Sequence, residues 1–234
     1  VITPDATLGE ADANLSTAGA APTETLTTIN AAAAGTRIIV AVSYWASATV
    51  DNLSGITIGG VAAVNDVKKA NGSDHFEVWS LIVAAGLASS SLIVASFATA
   101  VSAGVGGVLL GASSWNGITG VDTTSSATTT GTNFASGSAS NALADSLFYG
   151  GAGNECASTS EPGSMTSGTQ LHGAWNASAG QGFKTGYIIA TSTGSRNVAG
   201  TWTNTSTATT GALVIYRGTA APAQFSPMRM PLGV

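Results

Sequence analysis

The chain has 234 residues, 44% of them hydrophobic and only 8% charged, with seven Lys and Arg against twelve Asp and Glu for a net charge of −5. An ordinary soluble domain carries about 25% charged residues, so Ser, Thr, Ala, Gly and Asn take over the surface here. Lys68-Lys69 is the only adjacent cation pair, which excludes binding nucleic acid by phosphate neutralisation, because that affinity needs clustered cations.

One cysteine, Cys156, rules out an intramolecular disulfide. Its neighbours, Gly153-Asn154-Glu155 and Ala157, include no histidine or cation, so it reads as a small half-buried residue rather than a reactive thiol. No charged leader segment precedes an apolar stretch near Val1, and no apolar run reaches the ~20 residues that span a bilayer. The expected setting has neither nucleic acid nor membrane.

Arg37 to Thr49 is the first strong strand, with Ile38, Val40, Val42 and Tyr44 on one face and Ile39, Ala41, Ser43 and Trp45 on the other. Ile56 and Ile58 lead into Gly59-Gly60, a tight turn that needs positive φ, and Val61 to Lys69 returns. His75 to Ala84 alternates Phe76, Val78 and Ile82 against Glu77, Trp79, Leu81 and Val83. Ser91 to Thr99 follows. Val105 to Trp115 is small at alternate positions, as where something packs closely. Ala142 to Gly150, Gln170 to Trp175, Thr185 to Thr193, Asn197 to Thr203 and Ala212 to Arg217 complete roughly ten to twelve strands, at the spacing of an all-β sandwich or barrel. Ser125 to Ser140, almost wholly Ser, Thr, Gly and Ala, is either a loop or an exposed Thr-rich strand. No internal repeat is visible.

The character changes after Gly218. Residues 219–234 (TAAPAQFSPMRMPLGV) hold three of six prolines and two of three methionines, which excludes a helix or a central strand. This segment is expected to be a docking arm with Phe225, Met228, Met230 and Leu232 as its anchors. Residues 1–23 are expected to form an N-terminal arm, and 24–218 the antiparallel β-sandwich.

Residues for chemistry are sparse. His75 and His172 are the only histidines, and no Gly-x-Ser-x-Gly elbow accompanies them. His75 and Glu77 share a strand face and would need His172 to begin a metal site. The acids form no glycosidase-like pair, and no Gly-rich loop ends in Lys-Ser or Lys-Thr. The expectation is a protein that is not an enzyme and takes no cofactor or metal. Trp45, Trp79, Trp115 and Trp202 are expected to fill core, while Trp175, ahead of a Gly/Ser loop, is the candidate for an exposed ring that stacks on sugar. The Asn-x-Ser/Thr matches at Asn14, Asn52, Asn71, Asn176 and Asn204 are no more than a Ser/Thr-rich chain produces by chance.

The strand Arg37-Ile38-Ile39-Val40-Ala41-Val42-Ser43-Tyr44 carries a resemblance, together with Ile56-Thr57-Ile58-Gly59-Gly60-Val61-Ala62, Val78-Trp79-Ser80-Leu81 and Gly211-Ala212-Leu213-Val214-Ile215-Tyr216-Arg217. Over roughly residues 25–218 the chain resembles jelly-roll-like β-sandwich proteins found among tailed-phage structural proteins and exported bacterial proteins. That resemblance transfers no catalytic residue. It implies a virion or extracellular location. It also implies a capsid decoration or tail accessory role, with other virion proteins and further copies of the same chain as partners. The alternatives are a receptor- or carbohydrate-binding sandwich that meets a host glycan, and an extracellular filament subunit.

Overall fold

The computed structural model describes residues 1–14, 22–46, 52–98, 107–155, 162–176 and 181–218. These hold seventeen strands and no helix, and every strand pairing is antiparallel. The first nine are β1 (Thr3–Asn14), β2 (Thr23–Thr27), β3 (Thr36–Trp45), β4 (Leu53–Ile58), β5 (Val61–Ala62), β6 (Val64–Asn71), β7 (Asp74–Val83), β8 (Leu92–Phe97) and β9 (Gly107–Asn116). They make two sheets, ordered β1-β9-β3-β7-β6 and β2-β8-β4-β5. The remaining eight are β10 (Ile118–Ala135), β11 (Ala139–Asn141), β12 (Ser146–Glu155), β13 (Pro162–Ser167), β14 (Thr169–Asn176), β15 (Gln181–Ala190), β16 (Gly194–Arg196) and β17 (Ala199–Gly218). Their main sheet is ordered β10-β17-β12-β15-β14, with β13 also paired to β17 and a β11-β16 pair beside it.

The two orders are the same scheme used twice. In each half the first strand pairs with the last, and the last with the third. The second strand pairs with the next to last. A chain read as having no internal repeat therefore repeats its topology. The expected all-β antiparallel architecture is present, and its strand order divides it into two halves, β1 to β9 and β10 to β17.

Alternation along β3 shows how they stack. Ile38, Val40, Val42 and Tyr44 face the β2-β8-β4-β5 sheet and pack on Leu26, Leu53, Ile56, Ile58, Ile93 and Phe97. Ile39 and Ala41 face the other way, with Phe76, Val78, Leu109 and Trp115, onto Leu147, Tyr149, Phe183, Ala212, Val214 and Tyr216 of the second half. The β3 sheet is thus a middle layer covered on both sides, which is why its central strands are near-continuous apolar runs. Within the stack β1 lies against β14, and β6 against β17 and β10, so the halves meet in opposite order. The outer face of the second half is closed by Phe148, Val198, Leu213 and Ile215, and by Phe134 and Trp202 where β10 and β17 bend.

The local signals read from sequence have physical counterparts. Gly59 and Gly60 take φ of +57° and +83° between Ile58 and Val61, which face each other, the two-residue hairpin that glycine permits. The small residue Gly111 on β9 admits a ring, since a Cβ there would stand 2.7 Å from His172 Cγ and 3.0 Å from Phe183 Cε1.

Two further expectations change. Residues 3–14 of the expected N-terminal arm are β1, hydrogen-bonded along β9, because Ile2 and Leu8 are buried in the core. The Ser/Thr-rich stretch is a strand: β10 runs to Ala135, with Thr124, Ser126, Thr128 and Thr130 exposed at every second position.

Candidate functional site

The arm anchors Phe225, Met228, Met230 and Leu232 lie outside the described residues, as does Cys156. The last described residue, Gly218, is held by hydrogen bonds. The Gly218 amide donates to the Asp145 carbonyl at 2.8 Å, and the Thr119 hydroxyl donates to the Gly218 carbonyl at 3.2 Å. Two residues earlier, the Arg37 guanidinium sits over the Tyr216 ring, 5.5 Å from its centre. Arg37 stands opposite Ile82 across β3 and β7. Gly218 therefore lies at the end of the stack where β7 finishes.

That end carries an apolar cleft between the two sheets of the first half, lined by Ile58, Val61, Leu81, Val83 and Leu87. Val61 and Ile82 of its lining are 57% and 46% exposed, and Val64 on β6 is 65% exposed. Such a group, on a body with almost no charge, is a surface that gains by being covered. Sequence alternation assigns Ile82 to the same face as Phe76 and Val78, but unlike them it is exposed.

A polar seam closes the opposite edge of the stack. Glu10 on β1 meets His172 on β14, with Glu10 Oε1 3.2 Å from His172 Nδ1 and accepting the Gly173 amide at 3.0 Å. The His172 bond is the main cause that holds the Glu10 pKa below the ordinary carboxylate value, with the Gly173 amide adding to it. The Asn176 amide donates to Asp12 at 3.0 Å. Next along, Glu24 on β2 is pushed up to about 7, by burial first and then by the Asp12 charge. The seam thus joins the two halves and sets one stabilised carboxylate beside one strained one.

Between the halves, the Tyr216 hydroxyl donates to Asp66 Oδ2 at 2.5 Å and Arg37 donates to Ser80 at 2.8 Å. Burial raises the pKa of Asp66 and, with the adjacent Asp66 charge, that of Tyr216. On the outer face of the second half, Lys184 is buried and donates to the Gly163 carbonyl, and burial lowers its pKa.

The histidines are held apart. His75 lies on the far face of the middle sheet, stacked on Tyr44 with centroids 4.5 Å apart, while His172, on β14 of the second half, faces Gly111 and Glu10 of the first half on the near side. Glu77 accepts from Tyr44, Asn65 and Trp79 at 2.8–2.9 Å. Among the described residues no group of three His, Cys, Asp or Glu side chains is placed to hold a metal. Trp115 and Trp202 are buried, and Trp45 and Trp79 half-buried. Trp175 is half-buried on β14, with its indole N–H closed off from solvent.

No protein-family model, curated protein or solved structure matches the chain.

Proposed function

We propose that this chain is a non-enzymatic structural protein of a virus particle of the tailed-phage type, a capsid decoration or tail accessory protein that works through contacts between subunits. The observation that carries the reading is the apolar cleft lined by Ile58, Val61, Leu81, Val83 and Leu87, with Val61 exposed on it and Val64 and Ile82 also exposed on β6 and β7, at the end of the stack that holds Gly218, after which the sequence turns Pro- and Met-rich. An exposed apolar cleft, and a Pro- and Met-rich sequence that follows Gly218 at the same end, fit a body made to be latched to a neighbour. Sixteen residues reach at most ~55 Å when extended, enough to cross to an adjacent copy.

The nested strand order supports the same reading. We take each half to be a jelly roll, the double Greek-key arrangement used by viral capsid and lectin domains. Low surface charge lets neighbours approach closely without desolvating ions. The glycan-binding alternative has no observation of equal weight, because Trp175 is half-buried. The test is light scattering after size exclusion on the full chain, on a chain ending at Gly218, and on Val61→Glu/Ile82→Glu. Regular oligomers from the full chain that both changes abolish are expected. Well-behaved monomers from all three would overturn the reading.

A further inference from the structure

A sheet's edge strands present unpaired backbone groups, and proteins protect them with charge, proline, bulges, shortness or cover. Among the described residues, the end strands of the three larger sheets all carry such devices, but not along their whole length. β1 has Pro4, two bulges and the acids Asp5, Glu10 and Asp12, and its Leu8 carbonyl is capped by the Ile29 amide. β6 carries Lys68 and Lys69 and a bulge. β2 is five residues long with Glu24, and β5 has two residues. β14 is bulged between Gln170 and His172 and tied by Gly173 to Glu10.

β10 (18 residues) carries Asp122 and four bulges, but all of them lie outside the stretch from Thr123 to Thr129. It pairs with β17 alone among the named strands, in unbroken register from Thr123 to Thr129. From Thr123 to Ala135 it has no charge and no proline. Gly137 lies against the Ser125 hydroxyl and the Ser126 backbone, while Thr124, Ser126 and Thr128 are exposed.

The unbroken stretch reads Thr123-Thr124-Ser125-Ser126-Ala127-Thr128-Thr129, which is nearly the same in both directions. We infer that β10 is a homotypic docking edge, where β10 of a second copy pairs antiparallel about a twofold axis at Ser126. This pairing rests on the structural reading above and names one of its interfaces. It sets Thr123 opposite Thr129, Thr124 opposite Thr128, and Ser126 opposite itself. Thr–Thr and Ser–Ser pairs are favourable cross-strand neighbours, and a self-complementary patch is what a twofold interface requires. The main sheet of the second half would then run continuously through both copies. No charge meets its like across the join.

The experiment uses the full chain with Cys156→Ser, into which Ser126→Cys or Thr124→Cys is introduced. At a twofold through residue 126, facing Cα atoms lie about 4.5–5.5 Å apart, within disulfide range. Position 124 would lie about 14 Å from its own copy, at roughly 3.4 Å per residue. Mild oxidation is expected to give a covalent dimer with Ser126→Cys and none with Thr124→Cys. Thr124→Lys/Thr128→Lys is expected to raise the dimer dissociation constant at least tenfold with thermal unfolding unchanged. In the unsubstituted chain, amide exchange at Thr123–Thr129 is expected to slow as concentration rises. Equal crosslinking at both positions overturns the inference, as does self-association that leaves Ser126→Cys reduced. Regular assemblies that persist without the crosslink overturn this edge and leave the structural reading standing. A crosslinked dimer that never assembles further supports the edge and overturns that reading.

Discussion

Gly111→Ala tests whether the two halves share one core. A Cβ at Gly111 would stand 2.7 and 2.8 Å from Cγ and Cδ2 of His172 and 3.0 Å from Phe183 Cε1. Carbon atoms in contact prefer about 3.5–4.0 Å, so both rings must shift by several tenths of an ångström. Neither has free space: Phe183 is fully buried, and His172 is buried and held by Glu10 at 3.2 Å. Overpacking of this kind costs about 1–3 kcal/mol. Disturbing the Glu10 bond adds about 0.5–1.5 kcal/mol, for a loss of about 1.5–4.5 kcal/mol. Gly55→Ala is the control, since a Cβ there meets nothing within 4 Å, and a change of no more than about 1 kcal/mol is expected. Urea unfolding compares midpoints at equal slope. If Gly111→Ala unfolds at the same midpoint as Gly55→Ala, the packing of β14 and β15 on β9 is wrong.

The seam predicts opposite pH effects from its two glutamates. The lowered Glu10 pKa means a contribution fully present above its unfolded pKa and lost as pH falls through the folded one, so Glu10→Gln is expected to lower thermal stability at pH 7 and to converge with the parent in acid. Glu24, raised from 4.5 to about 7, imposes a penalty that is absent in acid and grows as pH rises through that window. Glu24→Gln is therefore expected to stabilise the protein at pH 8, by about 1–2 kcal/mol after discounting for its partial exposure, with no gain at pH 4. Tyr216→Phe removes the donor to Asp66 and should cost about 1.5–3 kcal/mol by chemical denaturation at pH 8. Phe183→Ala, at the centre of the core between the halves, should cost about 3–5 kcal/mol in a single transition seen alike by fluorescence and far-ultraviolet dichroism.

Strand positions were legible wherever burial imposed a pattern. The two apolar faces of Arg37 to Tyr44 and the Gly59-Gly60 turn could be read because period and φ leave local marks. The second covering layer left none: a strand buried on both sides looks the same whether its neighbours come from one half of the chain or both. The duplication was hidden for a related reason. β3 is built from Ile and Val, while its counterpart β12 holds Gly150, Gly151 and Gly153, and a Cβ at Gly151 would come within 2.9 Å of Thr185 Cα. The same place in the topology is thus filled by unlike residues. β1 was read as an arm because its acids mask the buried Leu8. The Glu10–His172 seam joins residues 162 apart in sequence, and nothing local marks either one. For the arm anchors Phe225, Met228, Met230 and Leu232, composition remains the argument.

The claim that this chain works as contact area between subunits is tested most directly by negative-stain micrographs of the full chain beside a chain ending at Gly218, with solution mass measured on the same samples. The account predicts regular, closed oligomers or coated particles from the full chain and dispersed smaller species from the shortened one. Uniform monomers from both would contradict it, and open-ended fibres would assign the chain to a filament instead.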